Sequence, residues 1–325
     1  AIGDRCHGAI GQLTESWGET LFSALKEAGG EVYSNYAVGY NNVDVEAATG
    51  RGIPVGNTPG ILTEATAEMA VALTLAAARR LPQADLFMRA GKYEGWLPTL
   101  FLGDMLTGKT VGVVGAGRIG SAYGRMMVAS FKMDLIYSDV TPNLELESWA
   151  DAYSAFLRAR GETPITVTRA QSIDDVLELS DVVSLHPPLD ATTHHLINAE
   201  RLCRMKPGAI LVNAARGPIV DEEALVAHCR KNPDFKAGLD VFEDEPAMKP
   251  GLRELDNVVV VPHIASATRW TREGMAILAA SNVAAILRGW PVSTNPDRIH
   301  DFISGNGPEA APSIVNAADL DLQMI

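Results

Sequence analysis

A chain of 325 residues, 47% of them hydrophobic, is long enough for two ordinary globular domains or one large one. Its 27 basic and 40 acidic residues leave a formal charge of −13, which argues against nucleic acid or an anionic membrane as the main partner, because each needs a basic face. Cys6, Cys203 and Cys229 form no C-x-x-C pair and point to reduced thiols in an intracellular compartment, while the longest apolar run, Met69 to Ala78, is far short of the ~20 residues that span a bilayer.

The chain does not begin with Met, and Ala1 to Ile10 reads as the middle of a fold, with Ala9 and Ile10 closing a short strand. Thr14 to Gly29 is predicted as a helix with Leu21, Leu25 and Ala28 on one side, and Val32 to Tyr36 as a strand. The segment Ala37 to Asp44 follows, where Gly39 lets the backbone come close to another group. A short helix is expected over Val45 to Thr49, a strand over Ile53 to Val55, and a turn at Asn57 to Gly60. From Thr63, read as the N-cap, a helix without Gly or Pro runs to about Arg80 and can act as a rigid spacer. Arg89 to Gly103 is an irregular, aromatic-rich stretch in which Trp96 is either a core plug or an interface anchor.

Lys109 to Asp139 organises the rest. Thr110 to Val114 is too short and too β-branched for anything but a buried strand, and Gly115, Gly117 and Gly120 then spell G-x-G-x-x-G at the start of a helix over Arg118 to Phe131. In that context the glycines permit a tight turn, close approach of a pyrophosphate and packing of helix on strand, while the helix N-terminus offers free N–H groups. A second strand, Met133 to Tyr137, leads to Asp139, whose carboxylate can accept bonds from both adenosine ribose hydroxyls and repels a 2′-phosphate. With no Arg or Lys from Val140 through Leu157 to neutralise such a phosphate, the expected cofactor is NAD(H) rather than NADP(H).

Beyond Asp139 strands are predicted at Ile165 to Val167, Asp181 to Leu185, Ala209 to Val212, Lys236 to Asp240 and Val258 to Val261. Helices fall between them at Leu146 to Arg160, Ser172 to Leu179, Ala199 to Met205 and Glu222 to Arg230. Together with the first two strands this makes a seven-stranded, doubly wound parallel sheet of the Rossmann type, which binds ligands beyond the carboxyl ends of its strands. The seven histidines are scattered, and the pair His194 and His195, read as lying on a strand, points to opposite faces, so no metal cluster is expected.

Four successive strands deliver chemistry to that one edge: His186 and Pro187 after Leu185, Arg216 after Val212, Asp240 and Glu245 after Leu239, and His263 after Val261. Each has an ordinary structural explanation alone; their joint arrival beside a dinucleotide loop favours a site. Hydride addition to a ketone leaves an alkoxide that needs a proton donor, for which imidazolium is suited, and a carboxylate on the other ring nitrogen stabilises the charged form. A guanidinium can hold a carbonyl oxygen and a carboxylate together, so the inferred substrate is a small 2-oxo acid.

Through GAGRIG, Asn213 to Gly217, GLDVFEDEP (Gly238 to Pro246) and PHIAS (Pro262 to Ser266), the chain resembles the D-isomer-specific 2-hydroxyacid dehydrogenases. It is most similar to the plant-type, NADH-linked hydroxypyruvate reductases among them, through SNYAVGYNNVD, GNTPGILTEATAE, YEGWLP, SLHPPLD and TREGMA. That resemblance implies reduction of hydroxypyruvate to D-glycerate, with glyoxylate to glycolate as a secondary activity. By the same resemblance, Arg216 would bind and polarise the 2-oxo acid, His263 would be the proton donor, and Glu245 would tune it. Val38 and Gly39 would hold the substrate carboxylate through backbone N–H groups. Asp240 would meet the nicotinamide carboxamide, while Thr66, Arg118, Ile119, His186, Pro187, Ala214 and Ala265 would line the cofactor cleft. Trp96 would reach the neighbouring active site of a homodimer.

The family architecture further implies an NAD-binding domain over 63–268 and a smaller, flavodoxin-like α/β substrate domain split between 1–62 and 269–325. Relatives carry a further strand and helix before the equivalent of Ala1, so the substrate domain is read as lacking its start. Plant relatives end in a peroxisomal Ser-Lys-Leu, whereas this chain ends in Met324 and Ile325, which favours the mitochondrial matrix or cytosol. Two alternatives remain: a non-catalytic, NADH-sensing corepressor-like dimer, and a glyoxylate-preferring 2-hydroxyacid dehydrogenase. A formate dehydrogenase is disfavoured because that group has Gln at the position of Glu245.

Overall fold

Strands and helices alternate through the computed structural model, which describes residues 2–295 and 298–325. Ala1, where the chain start was read, and Pro296 and Asp297, within the expected segment 269–325, lie outside the described residues. In chain order the first elements are β1 (Gly8–Gly11), α1 (Glu19–Glu27), β2 (Val32–Asn35), α2 (Val45–Thr49), β3 (Val55–Gly56), α3 (Thr63–Arg79) and α4 (Leu81–Arg89). Next come β4 (Thr110–Val114), α5 (Arg118–Phe131), β5 (Asp134–Ser138), α6 (Leu144–Ala159), β6 (Val167–Arg169), α7 (Ile173–Leu179) and β7 (Val182–Leu185). The chain continues through α8 (Ala199–Arg204), β8 (Ile210–Asn213), α9 (Glu222–Lys231), β9 (Lys236–Leu239), β10 (Val258–Val260), α10 (Arg269–Leu287) and α11 (Ile299–Ile303).

Two units emerge. One runs to Leu62 and resumes over Ser266–Ile325, and the other is Thr63–Ala265, so the second boundary falls three residues before the one expected from the sequence. The first unit is built on a parallel sheet in the order β1-β2-β3, against which α10 packs. Its apolar centre gathers Trp17, Phe22, Leu25, Tyr33, Ile53 and Val55, and the rings of Trp17 and Tyr33 lie 4.1 Å apart.

The second unit carries seven strands in the order β10-β9-β8-β7-β4-β5-β6, with every neighbouring pair parallel. The central strands β4, β5, β7, β8 and β9 are buried because both faces of the sheet are covered, whereas β6, read as buried, is an edge strand exposed at Thr168 and Arg169. On one face Leu73 of α3, Met127 of α5 and Leu146 of α6 close over Val111, Val113 and Leu135, and on the other Val176 of α7, Leu202 of α8 and Leu225 of α9 close over Val183 and Leu211. The chain reverses its direction of winding at β4, which places the open carboxyl ends of β4 and β7 side by side as a ligand crevice. The acid-rich start of α7 carries a reciprocal capping box between Ser172 and Asp175, of the kind that stabilises a helix by about 1 kcal/mol.

Several elements differ from expectation. The helix expected from Thr14 starts only at Glu19, because Trp17 is drawn into the aromatic core and pairs with Val43. Thr63 lies inside α3 rather than capping it. The irregular stretch expected over Arg89 to Gly103 is preceded by a separate helix, α4: Arg80 takes a left-handed backbone (φ 53°) that ends α3, and Pro82 then sits in the first turn, where its missing N–H costs nothing. β6 begins two residues later than predicted, after Thr166, whose N–H is taken by the Asp134 carboxylate at 2.6 Å. His194 and His195 are on a turn, not a strand, and their rings stack 4.1 Å apart instead of pointing to opposite faces.

Candidate active site

The glycine loop joins β4 to α5 at the reversal point. Gly115 has φ 86°, and a Cβ there would lie 2.8 Å from the backbone of His186 and Pro187 after β7, so only glycine fits between the two strand ends. A Cβ on Gly120 would meet the Gly115 carbonyl at 2.1 Å, which is how closely α5 packs on its own strand. A Cβ on Gly117, by contrast, would meet nothing within 4 Å. Gly117 is the N-cap of α5 and supplies no side-chain cap, so the first-turn N–H groups face open space with the positive end of the helix dipole behind them.

Beside this loop is a cavity of about 420 Å³ lined by Ala116, Gly117, Asp139, Thr141, Pro142, Asn143 and Leu144. An open glycine, an uncapped helix end and an acid across one cavity fit the pyrophosphate and ribose of a dinucleotide. Asn143 shapes the cavity wall: its Nδ2 donates to Ala116 O at 2.6 Å and Ser121 Oγ at 2.9 Å, while its Oδ1 caps α6 at Leu146 N. No Arg or Lys occurs from Val140 through Leu157, but the fold brings a cation to the backbone at Asp139 from outside that stretch. Arg169, adjacent to Tyr137 across the β5–β6 pairing, donates through Nη2 to the carbonyls of Asp139 at 3.0 Å and Val140 at 3.2 Å. It lies thirty residues further along the chain and becomes a neighbour only through strand pairing.

Of the other residues expected around the cofactor, Arg118 is exposed at the first position of α5, and Ile119 is half-buried against the sheet core. Thr66, Ala214 and Ala265 are buried. The His186 ring turns inward, with Nε2 2.9 Å from Ser184 Oγ, and burial pushes its pKa down to about 3, so it is neutral at physiological pH. Asp240 is fully buried; its two carboxylate oxygens accept the N–H groups of Ile264 at 2.7 Å and Ala265 at 3.0 Å. In this arrangement Asp240 holds the loop that carries His263.

The acid and base chemistry gathers on the neighbouring strand ends. Nδ1 of His263 lies 2.9 Å from Oε2 of Glu245, and His263 itself has a left-handed backbone (φ 51°) fixed by its N–H to Asp240 O at 2.8 Å. Burial pushes the Glu245 carboxyl upward, but the hydrogen bond and charge of His263, the Phe242 N–H at 3.0 Å and the charge of Arg216 outweigh it and hold the group below the usual carboxylate range. Glu245 is therefore ionised at neutral pH. Burial acts in the unfavourable direction on the Arg216 guanidinium as well, lowering its pKa, with partial compensation from Glu245. The Arg216 turn is shaped by Asn213, which accepts from Ala215 N at 3.1 Å and donates to Arg216 O at 2.8 Å. An imidazole with one nitrogen on a carboxylate has the other free to exchange a proton with a ligand, and a guanidinium under the same field can hold an oxyanion.

Val38 and Gly39 belong to the first unit, where their carbonyls accept from Asn57 Nδ2 and Asn35 Nδ2, both at 2.9 Å. Trp96 is 80% exposed, so it plugs no core within the chain.

The sequence profile described as "D-isomer specific 2-hydroxyacid dehydrogenase, NAD binding domain" matches residues 71–265. The chain is 62% identical over 323 residues to a protein of Arabidopsis thaliana named "Glycerate dehydrogenase HPR, peroxisomal", covering 99% of this chain and 84% of that one. It is 45% identical over 264 residues to a glyoxylate reductase of Thermococcus litoralis, covering 80% of this chain and 74% of that protein. Among solved structures, the TT0316 protein of Thermus thermophilus superposes with a TM-score of 0.78 at 38% identity, covering 95% of this chain and 86% of that one.

Proposed function

The chain belongs to the family of D-isomer specific 2-hydroxyacid dehydrogenases, oxidoreductases with an NAD-binding domain, and on that premise we propose that it reduces hydroxypyruvate to D-glycerate, with glyoxylate as a slower substrate. The observation that carries the reading is the 2.9 Å contact between Glu245 and His263 on the strand edge that also holds Arg216 and the glycine loop. The naming of the Arabidopsis relative as a glycerate dehydrogenase supports the choice of substrate.

When bound, the reduced nicotinamide supplies a hydride for the 2-oxo carbon. Arg216 binds the carbonyl oxygen and the carboxylate of the substrate and polarises the former, so that negative charge grows where a guanidinium meets it. His263, protonated and with Nδ1–H donated to Glu245, delivers the Nε2 proton to that oxygen, and the product leaves as the neutral hydroxyl. The ionised Glu245 accepts the Nδ1–H and so orients the ring, as an acid in reduction and as a base in the reverse direction. Initial rates with hydroxypyruvate, glyoxylate and pyruvate test the proposal. Hydroxypyruvate is expected to be fastest; a higher kcat/KM for glyoxylate would reverse the substrate order. Inactivity toward all three with tight NADH binding would favour a cofactor-sensing role.

We also assign a preference for NADH over NADPH, supported by the Asp139 carboxylate at the cavity wall. With Arg169 held on the carbonyls of residues 139 and 140, that carboxylate is the element that disfavours a 2′-phosphate. Asp139→Ser is expected to raise the ratio of kcat/KM for NADPH to that for NADH by about tenfold, which corresponds to removing one repulsive contact of about 1.4 kcal/mol. Fluorescence titration with each cofactor should move in the same direction.

Homodimer formation fits the surface of the 81–105 segment. Helix α4 buries none of its residues, and Leu86 (66% exposed), Met88, Trp96, Leu102 and Met105 are all exposed apolar side chains of this segment. A second copy would cover it. Leu86→Asp is expected to weaken the dimer roughly a hundredfold, seen by light scattering over a dilution series, and an unchanged mass would remove this face from the interface.

A further inference from the structure

We propose that Glu222 and Glu243, two acids outside the reacting centre, are the positioning residues that hold Glu245 against His263. The inference rests on the reading of the Glu245 and His263 pair given above.

Glu245 stands in an irregular loop after β9, and such a loop needs an external grip to keep one side chain within hydrogen-bond reach of an imidazole. Glu222, the first residue of α9 and 3% exposed, supplies two. Its Oε2 accepts the N–H of Glu243 at 2.8 Å and its Oε1 accepts the N–H of Lys249 at 2.7 Å, so a single carboxylate seizes the loop on both sides of Glu245. Glu243 reciprocates: Oε2 accepts the N–H of Glu222 at 3.2 Å, and Oε1 lies 3.0 Å from Nε2 of His195.

The same network reaches the Arg216 turn. The backbone N–H of His195 donates to Pro218 O at 2.8 Å, and a Cβ on Gly217 would fall 1.8 Å from Phe242 O, so the turn after Arg216 and the loop before Glu245 lie directly against each other. The positions of guanidinium and carboxylate are thereby set by one block of hydrogen bonds rather than by two independent loops. A carboxylate is required at Glu222 because both of its oxygens receive an N–H; an amide would point its own NH₂ at one of those donors and lose that bond. Lys249, whose Nζ lies 2.7 Å from Asp244 and 3.8 Å from Glu243, balances part of the negative charge.

The test is the pH profile of kcat for hydroxypyruvate reduction in the full chain, for Glu222→Gln, Glu243→Gln, Glu245→Gln and the Glu222→Gln/Glu245→Gln double variant. His263 must be protonated to act, so its alkaline limb moves to lower pH whenever its carboxylate partner is lost. Glu245→Gln is expected to move the limb by about one pH unit. Glu222→Gln should move it in the same direction by roughly half as much, and the double variant no further than Glu245→Gln alone. Asp240 beneath the loop and Arg216 beside Glu245 also carry charge at this site, and both are intact in every variant. Should Glu222→Gln fail to fold, Glu243→Gln, which keeps both bonds from the backbone to Glu222, carries the same prediction. A limb unmoved in a folded Glu222→Gln or Glu243→Gln, whatever the loss of rate or Tm, overturns the positioning role. A limb unmoved in Glu245→Gln overturns the pairing of Glu245 with His263 itself.

Discussion

His263→Asn is expected to lower kcat for hydroxypyruvate reduction by about 10³-fold, in the middle of the range for loss of a general acid. Asn preserves the size and some hydrogen bonding of the ring but has no proton to release near neutral pH, so the alkoxide formed by hydride addition must take its proton from water. Three features of the site make the expected loss large. The imidazole is held in one orientation by the 2.9 Å contact with Glu245; its backbone N–H is bonded to Asp240 O; and the Asp240 carboxylate holds the N–H groups of Ile264 and Ala265 that follow it. NADH binding, followed by fluorescence, should change little, because the glycine loop and Asp139 are untouched. A kcat within about threefold of the parent would require a different proton source and remove His263 from the mechanism.

Arg216→Lys is expected to reduce kcat/KM by roughly 10²- to 10³-fold, although the charge is conserved. A lysine ammonium is a point donor, whereas the guanidinium fork can bond a carbonyl oxygen and a carboxylate at the same time in a fixed geometry. Burial already costs Arg216 some of its affinity for the proton, with Glu245 compensating in part, and a lysine in the same place would suffer more because its charge is compact and strongly hydrated. The turn that carries Arg216 is set by Asn213 and by the contact of Gly217 with Phe242, so the shorter reach of lysine cannot be recovered by backbone movement. Steady-state kinetics with hydroxypyruvate and glyoxylate should show similar factors for both, since both present a 2-oxo carboxylate. A loss confined to KM would instead assign Arg216 to ground-state binding alone.

The strand edge and the helices carry different kinds of signal in the sequence. The β4–glycine–α5 unit was legible because three glycines, a β-branched run and a periodic helix are all local, and each must be where it is for the chain to turn at Gly115. The same applies to the apolar strands buried on both faces, and to Arg216, Glu245 and His263, which fall within three to six residues of the ends of β8, β9 and β10. The start of α1 was misplaced because Trp17, Phe22 and Tyr33 decide it together from separate parts of the chain. Helix α4 was not read from the sequence, and it contributes no core position, since none of its residues is buried.

By itself the amino-acid sequence determined the doubly wound class, the glycine loop between β4 and α5, and the arrival of Arg216, Glu245 and His263 at one edge, because each depends on neighbours within a few residues and on the rule that parallel strands present their carboxyl ends together. Only the tertiary structure decided that Arg169 comes to the backbone of Asp139, that Asp240 is spent on the His263 loop, and that Glu222 and Glu243 grip the loop of Glu245. The physical reason is that hydrogen bonds between segments 20 or more residues apart are selected by strand order and loop contact, for which one-dimensional spacing carries no period to read.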